Sequence, residues 1–170
     1  RLSEEGLVDI FPQHATVVSR INVTSAFQAH FLRRSIELEV VGLLAERADA
    51  EVIARLRSQI DLQAAMTGGK GYGEFVDADR AFHRLMYEAA GVPGLFDVVR
   101  RMSGHVDRLR RLHLPVPGKM KGVVRDHRRI VDAIARRDPE AARARVREHL
   151  SDTLGSIDEI MARHPEYLAR

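Results

Sequence analysis

The chain has 170 residues, of which 45% are hydrophobic, and it carries a formal charge of +3 and no cysteine. This length and apolar content predict one globular domain with room for a fragment of a second. Without cysteine, disulfides and thiolate metal sites are excluded, and a transition metal would need nitrogen and oxygen ligands. No run approaches the roughly 18 apolar residues that span a bilayer, and no secretory signal pattern is present, so a cytoplasmic protein without a membrane partner is expected.

Charge does not by itself indicate a nucleic-acid partner. The sequence pI is near 9.7, but the basic residues alternate with carboxylates along most of the chain. Such a distribution is typical of solvated helix surfaces rather than of a concentrated basic patch.

The first 22 residues differ from the rest in their predicted structure. Residues 1–6 resemble the end of a helix, with Gly6 suited to its C-cap, which predicts that further sequence precedes Arg1. Two β-prone runs, residues 7–11 and 16–20, flank the segment Pro12–Ala15 and predict a small hairpin.

From residue 23 onward, apolar residues recur at helical spacing and predict an all-α, antiparallel bundle. The expected number of helices is six, or seven if a short one is hidden. Phe27 and Phe31 are placed on the inner face of the first helix, and Ser25 is its expected N-cap. The predicted helices are residues 25–48, 49–66, 74–90, 93–114, 119–137 and 138–163.

Four potential metal ligands lie on apolar helix stripes. Asp79 and His83 are one turn apart on the third predicted helix, His127 is on the fifth and His149 is on the sixth. Burying a carboxylate without a partner would cost several kcal/mol, so Asp79 calls for a cation or a hydrogen-bond network. Ligands from three helices directed at one interior predict a shared divalent-metal site.

Two other interpretations stay open. A lone histidine on an apolar face is more often a satisfied core residue, so the chain could be a helical interaction module. It could also be a metal-dependent hydrolase in which Asp79 and the three histidines activate water. The remaining histidines are predicted at the surface or its boundary, and an arginine-rich run is predicted to be a solvated face. These residues are His14, His30, His105, His113, His164, and Arg100, Arg101, Arg108, Arg110 and Arg111.

Seven short segments along the chain carry motifs of a known family: Arg1–Val8, Pro12–Gln13, Thr16–Ser19, Leu32–Glu37, Asp79–His83, Asp126–Ile130 and Ala141–Leu150. The first three resemble the end of the recognition helix and the wing of a winged helix-turn-helix domain. The other four resemble, in chain order, a first-helix motif, an Asp-x3-His motif, a Glu-His motif and a final metal-binding helix. Together they resemble the effector-binding C-terminal domain of the FadR-like branch of GntR-type bacterial transcription regulators, and six helices favour the VanR-like subgroup.

The resemblance implies a non-enzymatic regulator, a repressor that binds operator DNA as a homodimer. Residues 1–22 would be the remnant of the winged helix-turn-helix domain, and residues 23–170 the helical effector- and metal-binding domain. Asp79, His83, His127 and His149 would hold a divalent ion such as zinc or nickel. Arg33 would pair with a small organic acid effector, whose binding shifts the first and fourth helices.

Overall fold

The structure, a computed structural model, describes residues 2–68 and 71–169 and has the expected all-α architecture. Eight α-helices lie within these residues. Their bounds are α1 Val23–Arg47, α2 Ala50–Ala65, α3 Tyr72–Ala89, α4 Pro93–Met102, α5 Gly104–His113, α6 Lys119–Ala135, α7 Pro139–Gly155 and α8 Ile157–Arg163. None of the described helices has the length and apolar character needed to cross a membrane.

The eight helices arise from the six predicted ones because two of those are interrupted at a serine. The Ser103 hydroxyl donates to the Val99 carbonyl at 2.7 Å and separates α4 from α5. The Ser156 hydroxyl donates to the Asp152 carbonyl at 3.0 Å and separates α7 from α8. A serine hydroxyl that bonds the carbonyl four residues earlier bends a helix, and in both places a glycine is adjacent.

The helix starts are set by side-chain caps. The Asn22 side chain accepts from the Ser25 backbone N–H at 2.9 Å, so Asn22 is the N-cap of α1 and the prediction of Ser25 is wrong. Asp49 caps α2 and Asp138 caps α7, the residues at which the second and sixth predicted helices begin. Each cap satisfies a backbone donor that the first helical turn leaves unpaired.

Two small sheets lie at the edge of the bundle. β1 (Val8–Phe11) and β2 (Ala15–Val18) form the predicted antiparallel hairpin, and its turn places Gln13 at a positive φ of 63°. β3 (Ile21–Asn22) pairs in parallel with β4 (Leu168–Ala169), which periodicity did not predict. This second pair joins the entrance of α1 to the segment that follows α8.

The main core is formed where α1 packs along α7 and where α6 packs against both α7 and α2. α3 completes it, with Phe75 and Phe82 fully buried. Phe27 and Phe31 do not enter this core: their side chains are 50% and 64% exposed, so their predicted inward placement is wrong. The first turns of α1 instead bury Ala26 and Ala29 in a second apolar cluster with residues of α5 and α8, which leaves Phe27 and Phe31 exposed on another side of the helix.

Candidate metal and effector site

Three of the four predicted ligands converge in the bundle interior. His83 on α3, His127 on α6 and His149 on α7 each offer a ring nitrogen, and these atoms lie within 4.8 Å of one another. The His127 Nε2 and His149 Nε2 atoms are 3.3 Å apart. All three side chains are buried, so helical spacing placed them correctly on the inner faces of their helices.

One pair of these nitrogens has the spacing expected for two ligands of a shared metal ion. Imidazole nitrogens bind zinc at about 2.0–2.1 Å, so two ligands at a tetrahedral angle are about 3.3–3.4 Å apart. The separation of the His127 and His149 Nε2 atoms, 3.3 Å, matches that value. Without a cation, the same separation allows a hydrogen bond in which one ring donates to the other.

Several ring nitrogens of the cluster lack hydrogen-bond partners. Both nitrogens of His83 and the Nδ1 atom of His149 are buried and unpartnered among the described residues. Burial, followed by the charge of His83, lowers the pKa of His149 to about 3. Burial, followed by the charge of His149, holds the pKa of His127 well below its usual range. Both rings are therefore neutral near pH 7, the form that ligates metals.

Asp79 lies beside the histidines but already has protein partners. Its Oδ1 atom is 3.7 Å from His127 Nε2, its Oδ2 atom accepts from Arg110 at 2.7 Å, and Oδ1 accepts from the Gln63 amide at 3.2 Å. Burial alone would raise the pKa of Asp79, but the charges of Arg110 and the nearby histidines hold it well below its usual value. The burial of Asp79 is thus balanced by Arg110 and does not by itself require a metal.

Gln63 on α2 was missed at the sequence level although it is fully buried in the site. Its Nε2 group donates to Asp79, and its Oε1 atom lies 2.8 Å from His127 Nδ1. The available signal was a polar side chain on the inner stripe of α2, at helical spacing from Leu56 and Ile60. The same signal identified the histidines.

Arg33 on α1 is engaged by a neighbour on its own helix. Its Nε group donates to Glu37 Oε1 at 2.7 Å, and the second carboxylate oxygen, Oε2, lies 3.3 Å from His83 Nδ1 without the geometry of a hydrogen bond. Burial would raise the pKa of Glu37, but the charges of Arg33 and His83 hold it far below its ordinary value. Glu37 therefore places a carboxylate between the predicted effector-binding arginine and the histidine cluster.

A small cavity adjoins both Arg33 and His149. Its volume is about 30 Å³, and its walls also include Arg110, Ser103 and Asp126. That volume holds about one or two water molecules. Two arginines and one face of the histidine cluster thus line a space too small for an organic acid unless side chains move.

Two histidines and one arginine lie deeper than predicted. His105 and His113 are buried rather than at the surface or its boundary: His105 Nδ1 accepts from the Asn22 backbone N–H at 3.2 Å, and His113 Nε2 lies 3.0 Å from Asp152. Arg110 is buried against Asp79 instead of lying on a solvated face. α5 places all three inward because it packs against α1, α7 and α8.

Comparison with known proteins agrees with this architecture. The model of the FCD domain matches residues 28–152. The chain belongs to the FCD-domain branch of GntR-type transcription regulators. One relative, an uncharacterized HTH-type transcriptional regulator in an unstable DNA locus of Streptomyces ambofaciens, is 34% identical over 99% of this chain and 70% of its own length. The HTH-type transcriptional repressor RspR of Escherichia coli (strain K12) is 24% identical over 99% of this chain and 74% of its own length.

A solved structure supports the fold of this GntR-type regulator. E. coli McbR/YncC superposes with a TM-score of 0.78 over 94% of this chain and 80% of that chain, at 15% identity, which shows similarity of fold alone. Regulators of this family bind operator DNA and small-molecule effectors. Since the family is one of transcription regulators and not of enzymes, it supports the regulator over the hydrolase alternative.

Proposed function

We propose that this regulator is a metal-dependent repressor that responds to a small carboxylate. A divalent ion, zinc or nickel, would be held by His83, His127 and His149 with Asp79 as a fourth ligand. The observation that carries the proposal is the convergence of three buried imidazoles whose ring nitrogens lie within 4.8 Å of one another. Nitrogen and oxygen ligands of this kind suit both metals.

Metal content tests the ion directly. The regulator, purified without a histidine tag or chelator, is expected to contain a divalent metal by mass spectrometry. Loss of a residue that only hydrogen-bonds a metal ligand weakens metal binding roughly 10- to 100-fold. His149→Ala removes a proposed ligand itself and should weaken metal binding by more than that. His14→Ala is the matched control because His14 is exposed and remote from the cluster. Equal metal affinity in His149→Ala and the control would refute the assignment.

The carboxylate effector is proposed from the two arginines that line the small cavity. Bound metal would supply Lewis-acid attraction for a carboxylate, and Arg33 would add a charge-assisted hydrogen bond. Arg33 contributes to this cavity beside His149 and Arg110. A panel of small mono- and dicarboxylates, measured by thermal shift, should include stabilising members whose effect is lost in Arg33→Met. Retention of the full effect in that variant would exclude Arg33.

Signal transmission is proposed to follow α5. An acid cannot enter a cavity of about 30 Å³ without displacing its walls, which include Arg110 on α5. At its other end, α5 begins against the N-terminal segment: a Cβ at Gly104 would lie 2.8 Å from the Leu7 side chain, and His105 bonds the Asn22 backbone. Residues 1–22, with β1 and β2 as the wing, would belong to a winged helix-turn-helix domain. An effector that favours one position of α5 would alter operator binding through its differential affinity for the two states.

A homodimer is proposed from the family and from apolar side chains left at the surface. α4 exposes Leu95, Val98 and Met102 on one face, and α1 exposes Phe31. Sedimentation equilibrium of this chain should give twice 19.1 kDa. Val98→Glu and Phe31→Glu, tested separately, would identify which surface joins the two copies, and a monomeric unsubstituted chain would refute the dimer.

A further inference from the structure

We infer that Gln63 is a positioning residue that fixes the tautomer and ring orientation of His127. The inference concerns an α2 side chain outside the predicted ligand set, and its metal readout rests on the proposed function. Gln63 is fully buried and contacts two of the predicted ligands at once, Asp79 at 3.2 Å and His127 at 2.8 Å.

The orientation of the Gln63 amide follows from the charge of Asp79. Arg110 donates to Asp79 Oδ2 at 2.7 Å, an ion pair in which the carboxylate is ionised and can only accept hydrogen bonds. The Gln63 atom facing Asp79 must therefore be the donor, Nε2. The opposite atom, Oε1, then faces His127 and can only accept.

This orientation determines where the His127 proton resides. Because Gln63 Oε1 accepts, the Nδ1 atom of His127 must carry the hydrogen. The lone pair of the neutral ring is then on Nε2, the atom that faces His149 Nε2 at 3.3 Å and Asp79 Oδ1 at 3.7 Å. Phe82 stacks on the same ring with centroids 4.1 Å apart and restricts its tilt. Gln63 thus aims the ligating electron pair at the cluster, as outer-shell partners of metal-bound histidines do.

The decisive readout is the tautomer of His127 in metal-free protein. Long-range proton–nitrogen NMR correlation should show His127 protonated at Nδ1 in the unsubstituted chain. In Gln63→Leu, which has no acceptor, the population should shift toward the Nε2–H form. In Gln63→Glu, the carboxyl group would carry its proton on the oxygen that faces Asp79, and its other oxygen would still accept from Nδ1, so the Nδ1–H form should persist. Ile60→Ala, a buried α2 substitution one turn away, controls for lost stability and should leave the tautomer unchanged.

Metal affinity provides the second readout. By chelator competition with zinc, Gln63→Leu should bind about 10- to 100-fold more weakly than the unsubstituted chain. An unchanged His127 tautomer in Gln63→Leu would overturn the inference even if metal binds tightly. A shifted tautomer together with no zinc binding to the unsubstituted chain would support the positioning role and refute the metal site. If Gln63→Leu does not fold, an Nε2–H ring in the unsubstituted chain or in Gln63→Glu overturns the inference.

Discussion

Arg110→Met should destabilise the metal-free protein strongly because it leaves the Asp79 carboxylate buried without a cation. Asp79 and Arg110 side chains are 1% and 9% exposed and are joined at 2.7 Å, so the energetics of a buried ion pair apply. Removing one partner of such a pair costs about 3–5 kcal/mol. For a domain of this size that corresponds to a fall in Tm of roughly 6–20 °C.

Chemical denaturation of the chelator-treated protein measures this loss. The control is Arg57→Met, which breaks an ion pair with Asp132 whose side chains are 58% and 53% exposed. Such surface pairs contribute about 0–1 kcal/mol. Adding Asp79→Asn to Arg110→Met should recover much of the loss, since no charge is then buried alone. A loss in Arg110→Met no larger than in Arg57→Met would refute the view that Arg110 balances the buried carboxylate.

Three further outcomes can be measured. Burial would raise the pKa of Asp107, but its hydrogen bond with Arg100 and the nearby arginine charges hold that pKa below the ordinary value of 3.8. The stabilisation that the ionised carboxylate provides is therefore present above pH 3.8, and it is lost as the pH falls through the pKa of Asp107 in the folded protein. Asp107→Asn should thus lower the free energy of unfolding by about 1.5–3 kcal/mol at pH 7, with a difference that shrinks below pH 3.8. Gly104→Ala should accelerate hydrogen exchange in β1 and β2 because its Cβ would meet Leu7, and Leu7→Ala should reverse the effect. Glu37→Gln should tighten carboxylate binding in calorimetry, because Arg33 loses its competing anion; weaker binding would contradict the assignment of Arg33.

Helical periodicity identified which helix faces carry the proposed metal ligands, but not which side chains of other helices contact those ligands. The apolar spacing around His127 and His149 fixes which side of each helix turns inward, and the structure places both rings in the interior. Which residue meets Asp79 depends on how α2 and α5 cross α3, and spacing within one helix carries no information on that crossing. Gln63 and Arg110 therefore could be seen as polar residues on apolar stripes, but their common contact with Asp79 could not be predicted.

Periodicity also could not distinguish a core face from an exposed apolar face. Phe31 follows helical spacing as regularly as Val41, yet Val41 is buried and Phe31 is 64% exposed, since this part of α1 buries Ala26 and Ala29 instead. Likewise, the apolar stripe runs through Ser103 without interruption, so the break there depends on one hydroxyl bond to Val99 that pattern alone does not reveal. The family resemblance, by contrast, assigned the correct fold because the order of its motifs reflects the whole chain.

The coupling proposed to run through α5 would be reciprocal. One ten-residue helix bonds the N-terminal segment through His105 and the Asp79 carboxylate through Arg110. In the proposed mechanism, a shift of α5 that the acid favours at one end is a shift that DNA binding favours or opposes at the other. By thermodynamic linkage, operator DNA must therefore change the acid affinity of the full-length regulator by the same factor by which the acid changes its DNA affinity. Calorimetric titration of the acid with and without operator DNA measures that factor from the ligand side.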